Sequence, residues 1–85
     1  LHNSFVSRFR IFEIIIFPNP VQNILTLKTP EIIKEVSIID LLGQEVNTNQ
    51  LSTNSLDVSN LSEGIYIIKV TSENDKTFST KFVKQ

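Results

Sequence analysis

Residues 56–70 read LDVSNLSEGIYIIKV, and the conformation of this stretch decides the fold. Leu56 and Val58 alternate with the polar Asp57 and Ser59, a polar corner with a single glycine follows, and the chain leaves through Ile65-Tyr66-Ile67-Ile68-Lys69-Val70. Alternation at period 2 sorts apolar side chains onto one face of a strand, whereas on a helix the same spacing scatters them around the axis. β-Branched and aromatic residues also fit a pleated surface and lose rotamer freedom in a helix. The stretch therefore predicts two strands joined by a tight corner, with Tyr66, Ile68 and Val70 turned to a core and Ile65, Ile67 and Lys69 turned outward.

Downstream of that stretch, Glu73-Asn74-Asp75-Lys76 reads as a turn, with Asn74-Asp75 as a two-residue hairpin loop, leading into a last strand at 77–84 whose apolar members are Phe78, Phe82 and Val83. Upstream, residues 47–55 (NTNQLSTNS) have the composition of a solvated loop anchored only by Leu51. Asp40-Leu41-Leu42-Gly43 is a hairpin turn: Asp40 offers a side-chain acceptor at the first position and Gly43 supplies the left-handed residue of a bulge, with 44–46 as the returning strand. Before it, 35–41 alternates with Val36 and Ile38 inward, 31–34 is a connection, and 24–28 (ILTLK) is a strand ended by Thr29-Pro30. Phe17-Pro18-Asn19-Pro20 fixes φ twice and removes two amide donors, so it is a rigid bend that delivers the chain into this strand. Residues 10–17 read as a strand and 1–7 as linker, although Phe5, Phe9, Phe12 and Ile16 also fall at helical spacing.

Six or seven short strands at intervals of roughly 8–12 residues, with turn signals between them and no long helical pattern, predict a β-sandwich. Ser62-x-Gly64-x-Tyr66-x-Ile68 has the layout of an immunoglobulin-type tyrosine corner, with Ile68 where a disulfide-bearing domain places its second cysteine. The expected fold is thus all-β, a small immunoglobulin-like antiparallel β-sandwich of about seven strands. In it the Tyr66 hydroxyl bonds backbone near residues 59–61. Residues 1–12 are expected to be linker or the end of a preceding region, and 13–85 the domain.

Composition narrows the function. The chain of 85 residues has a formal charge of −1 and no Cys, Met or Trp. Its size allows one small domain without an elaborate active site, and its stability must come from an aliphatic core. Neither nucleic acid nor an anionic membrane is favoured electrostatically. The longest apolar run, Ile14 to Phe17, is strand-sized, far short of the ~20 residues of a membrane-spanning helix. No secretory signal heads the sequence, and it reads as a C-terminal piece of something longer.

Catalytic chemistry finds little to work with. His2 is the only histidine and has no nucleophile or acid placed beside it. The carboxylates are scattered with no calcium-loop spacing, so no metal or other cofactor is expected. Two isolated glycines cannot form a phosphate loop. Asn60-Leu61-Ser62 matches a glycosylation sequon but reads as turn chemistry. Ile65 and Ile67, apolar yet outward-facing, call for a covering layer, a pairing partner or a binding surface.

In order, Phe17-Pro18-Asn19-Pro20, Leu25-Thr26-Leu27, Val36-x-Ile38-x-Asp40-x-x-Gly43-x-x-Val46, Leu56-Asp57-Val58-x-x-Leu61-x-x-Gly64-Ile65-Tyr66-x-x-Lys69-Val70 and Lys81-Phe82-Val83-Lys84 resemble the type A C-terminal sorting domain of the type IX (Por) secretion system of Bacteroidetes. Phe17 departs from it, since the family more often has Tyr there. The resemblance implies a non-catalytic secretion signal at the C-terminus of secreted enzymes and adhesins. Its partners would be the outer-membrane translocon, the N-terminal cargo and a sortase-like protease that cuts upstream of Pro18 and attaches cargo to anionic lipopolysaccharide at the cell surface. Pro18, Asn19, Pro20, Gly43, Gly64 and Tyr66 are the family motif residues, and the terminal strand with Lys81, Phe82, Val83 and Lys84 is the recognition candidate. The alternative is an immunoglobulin-like accessory module that binds carbohydrate or protein on its Ile65/Ile67 face.

Overall fold

The computed structural model describes residues 14–85. Eight strands follow in order: β1 (Ile15–Phe17), β2 (Ile24–Lys28), β3 (Ile33–Ile39), β4 (Glu45–Val46), β5 (Asn49–Ser52), β6 (Ser55–Asp57), β7 (Gly64–Ser72) and β8 (Thr77–Lys84). They form two antiparallel sheets of four strands, ordered β1-β2-β6-β5 and β4-β3-β7-β8. This is the ABED and C′CFG arrangement of an immunoglobulin-like sandwich. The expected returning strand is β4, whose Glu45 and Val46 pair with Ile39 and Ile38, and the eighth strand, one more than expected, is β5.

The alternation of the 56–70 stretch becomes the core. Leu56, Val58, Tyr66, Ile68 and Val70 are buried together with Val21, Leu25, Leu27, Ile38 and Phe82, while Ile65 and Lys69 stay exposed. Each large aliphatic or aromatic side chain removed from water contributes about 1.5–3 kcal/mol, which outweighs any single turn contact. The longest ladder joins β7 to β8 from Gly64↔Lys84 to Thr71↔Thr77.

Two hairpin turns are built alike from different residues. Asp40 accepts the Gly43 amide on its carbonyl at 3.0 Å and the Leu42 and Gln44 amides on Oδ1 at 2.9 and 3.0 Å, with Gly43 at φ 87°. Ser72 does the same: its carbonyl accepts the Asp75 amide at 2.9 Å and its Oγ accepts the Asn74 and Lys76 amides, both at 3.3 Å. Asp75, at φ 63°, takes the place that glycine holds in the first turn. The loop is therefore residues 73–75. It is not the two-residue Asn74-Asp75 loop, because only Asp75 has a positive φ.

Three further expectations are corrected. Residues 47–55 are mostly strand, since β5 pairs with β6 in spite of its fully exposed side chains. Main-chain bonds suffice for that. Leu51 is 51% exposed and anchors nothing; the segment is fixed by Asn54, whose carbonyl accepts the Leu27 amide at 2.8 Å and whose Nδ2 donates to the Leu27 carbonyl at 3.1 Å. Second, β3 begins at Ile33 within the expected connection, with its register shifting between Ile33 and Glu35. Third, the Tyr66 hydroxyl donates to the Ser62 carbonyl at 2.8 Å, one residue beyond the expected window. Residues 58–61 close their own turn, Leu61 amide to Val58 carbonyl at 3.0 Å, and the corner binds tyrosine just after it. The part of the expected first strand at 10–13 and the helical spacing of Phe5, Phe9 and Phe12 lie outside the described residues.

Candidate functional site at the terminal strand

β8 is the outermost strand of its sheet. Pairing with β7 uses the main-chain groups of alternate residues and leaves those of Thr77, Ser79, Lys81 and Val83 pointing away from the sheet. The chain after the Phe17-Pro18-Asn19-Pro20 bend, whose two X-Pro peptides are cis, returns to this edge. Asn19 Oδ1 accepts the Val83 amide at 2.9 Å, the Val21 amide donates to the Val83 carbonyl at 2.8 Å, and the Gln85 amide donates to the Val21 carbonyl at 2.8 Å. Val21 thus forms a parallel bridge with Lys84 and is itself fully buried.

The bend does more than turn the chain. Pro18 and Pro20, exposed on either side of Asn19, aim its amide at Val83 and seal the last residues of β8. Asn19 was legible as part of a motif, but a contact 64 positions away along the chain leaves no local signal. Over Ser79 and Lys81 the edge remains unpaired among the described residues.

The four residues of the expected recognition strand divide by alternation. Phe82 is fully buried and stacks on Tyr66 with ring centroids 5.8 Å apart, and Lys84 is buried with its Nζ donating to the Gln85 carbonyl at 3.1 Å. Lys81 and Val83 face outward and are exposed. Register places Val83 beside Ile65, Lys81 beside Ile67 and Ile67 beside Ile39, so the outer face of this sheet carries an apolar strip, of which Ile65 is 45% exposed, flanked by Lys69 and Lys81. Gly64 and Tyr66 build the corner from which β7 starts, Gly64 at φ 154°. Gly43 lies in the β3–β4 turn, away from the rest.

The remaining candidates stay apart from this site. Among the described residues no three His, Cys, Asp or Glu side chains gather as metal ligands, and no helix is long and apolar enough to cross a membrane. His2 lies outside the described residues. Asn60 of the sequon donates through Nδ2 to the Asn47 carbonyl at 3.3 Å, in keeping with turn chemistry. Asp57 accepts the Ser59 hydroxyl at 2.6 Å and the Ser59 amide at 3.0 Å, which together hold its carboxyl below the usual carboxylate range against a smaller effect of desolvation. This is a structural corner on the opposite sheet.

The described residues thus form a small immunoglobulin-like sandwich whose terminal edge is partly sealed. Residues 15–85 match the family described as "Secretion system C-terminal sorting domain", and the chain belongs to that family. It is a sorting signal for type IX secretion, a non-catalytic domain that marks proteins for the cell surface or extracellular space. A relative described as ulvan lyase NLR42, from Nonlabens ulvanivorans, is 33% identical over 82 residues, which cover 92% of this chain and 15% of the relative. No solved structure matches the chain.

Proposed function

We propose that the sorting signal is read from the β8 side of the sandwich by the outer-membrane translocon of the type IX system, with Lys81 and Val83 as the side chains presented. The single observation that carries this reading is the split of the terminal strand, in which Phe82 and Lys84 are buried while Lys81 and Val83 face outward, Val83 at 37% exposure. Pro18, Asn19, Pro20, Gly64 and Tyr66 act indirectly by fixing the position of β8, and Gly43 by shaping the β3–β4 turn. A sortase-like protease then acts upstream of Pro18, freeing the cargo for attachment to lipopolysaccharide. The 85-residue chain fused behind a periplasmic reporter is expected to bring that reporter to the cell surface only where the type IX machinery is present. Lys81→Ala with Val83→Asn is expected to reduce delivery at least tenfold while the purified domain keeps its circular dichroism and urea midpoint. Delivery unchanged by that pair would overturn the reading.

A further inference from the structure

We propose that the unsealed half of the β8 edge, at Ser79 and Lys81, accepts an extended acidic strand from a protein partner, one whose carboxylates alternate with apolar side chains. The inference rests on the reading that recognition occurs on the β8 side, and it specifies the chemistry of what binds there.

Three observations converge. The outward N–H and C=O groups of Ser79 and Lys81 lack partners among the described residues, whereas those of Val83 are taken by Asn19 and Val21. The edge therefore has a defined open length. An incoming strand can bond to it, and the sealed end sets where that strand must stop. A shallow groove of about 440 Å³, lined by Ile67, Ser79, Thr80 and Lys81, runs beside these same residues. It offers an apolar floor to alternate side chains of the added strand.

Charge selects the partner. Lys69 stands opposite Ser79 and Lys81 opposite Ile67, so the two lysines are diagonal neighbours on the outer face. Such neighbours lie roughly 7–8 Å apart at the backbone, close enough for like charges to repel. Neither forms an ion pair among the described residues, where the bridges are Lys34 to Asp75 and Lys76 to Glu31. Of the carboxylates that β3 and β4 place on this face, Glu35 stands opposite Thr71 and so diagonal to Lys69, while neither Glu35 nor Glu45 lies beside Lys81 at the open edge. A strand docked on β8 with carboxylates on the outer face would relieve the repulsion. A second copy of this chain would not. Antiparallel pairing of two β8 strands about Ser79 sets Lys81 against Thr77 and gathers four lysines on one face.

The test uses the isotopically labelled 85-residue chain and two blocked eight-residue peptides, one alternating valine with glutamate and one alternating valine with lysine. The glutamate peptide is expected to bind at least tenfold more tightly than the lysine peptide and to slow hydrogen exchange of the Ser79 and Lys81 amides at least tenfold. Ser79→Pro removes only an outward amide, a position where an edge strand tolerates proline, and is expected to abolish binding with the β7–β8 exchange pattern preserved. Lys69→Glu with Lys81→Glu is expected to invert the peptide preference. Equal binding of the two peptides, no binding, protection elsewhere, or protection of Ser79 through dimerisation of the chain alone would each overturn the proposal. Surface delivery of the reporter fusion separates the two readings: delivery that fails with Lys81→Ala and Val83→Asn but survives Ser79→Pro leaves recognition of the β8 side chains standing and removes the added strand.

Discussion

Replacing Phe82 with alanine tests whether the terminal strand is part of the fold or an appendage to it. The side chain is fully buried and its ring stacks on Tyr66 at 5.8 Å with 23° between planes. Phenylalanine-to-alanine changes in cores cost about 3–5 kcal/mol through lost transfer energy and the cavity left behind. Loss of the aromatic pair, worth about 0.5–1.5 kcal/mol, places this site in the upper part of that range. At about 0.05–0.15 kcal/mol per residue, 85 residues hold about 4–13 kcal/mol in total. The variant should therefore lie near its unfolding midpoint if the domain is of modest stability. In urea denaturation, with a slope of about 1–3 kcal/mol per molar, the midpoint should fall by at least about 1.3 M. Lys81→Ala, one residue away and exposed, should change stability by less than about 0.5 kcal/mol. A midpoint for Phe82→Ala within about 0.3 M of the parent, less than about 1 kcal/mol at any such slope, would refute the claim that β8 closes the core. The same reasoning shows why deletion of residues 82–85 cannot isolate recognition: it removes a core aromatic, buried Lys84 and all three bonds that hold Asn19 and Val21 to the edge.

Other perturbations separate turn, corner and titration effects. Tyr66→Phe keeps the ring on Phe82 but loses the bond to Ser62, so stability should drop by about 0.5–1.5 kcal/mol with an unchanged denaturant slope; an unaltered midpoint would mean that the hydroxyl contributes nothing to the corner. Gly43→Ala adds a methyl with nothing within 4 Å, so its cost of about 1–2 kcal/mol comes from the positive φ alone. Gly43→Asn should recover much of that by calorimetry, and a loss equal to alanine's would contradict a purely conformational cause. The Asp57 carboxyl ionises more readily folded than unfolded, so the stability it contributes is present above its unfolded pKa and is lost as pH falls through its lower folded pKa. Ser59→Ala removes the larger of the two hydrogen bonds and should raise the Asp57 titration midpoint toward the ordinary carboxylate value, measured by carboxyl NMR; a midpoint that does not move would rule out the hydroxyl as the cause.

What could be read in advance was chemistry that is local along the chain. Alternation in Ile65 to Val70 sorted inward from outward residues, and an acidic residue three positions before a glycine announced the Asp40–Gly43 turn. β5 gave no such signal, because its four side chains are all exposed and only its backbone is engaged. Leu51 misled for a related reason: hydrophobicity suggested an anchor, while a pair of hydrogen bonds between Asn54 and the Leu27 backbone did the anchoring. In the second hairpin, Ser72 and Asp75 do the work of Asp40 and Gly43, and neither residue type declares that role without the turn around it. The candidate site was half legible. The motif residues and the terminal strand could be named, but that Asn19 seals the strand, and that only Lys81 and Val83 of the last four candidates reach solvent, depends on packing between the two ends of the domain.

Val21 and β8 run in the same direction, and that has a mechanical consequence. A pull drawing the segment before Pro18 one way and Gln85 the other slides two parallel strands past each other, loading the bonds at Val83 and Gln85 together in shear. A hairpin opened from its end would break its bonds one after another; here three must yield at once. Behind the β1–β2 pairing, these three bonds resist in shear the tension that would act between a preceding cargo and a held terminal strand.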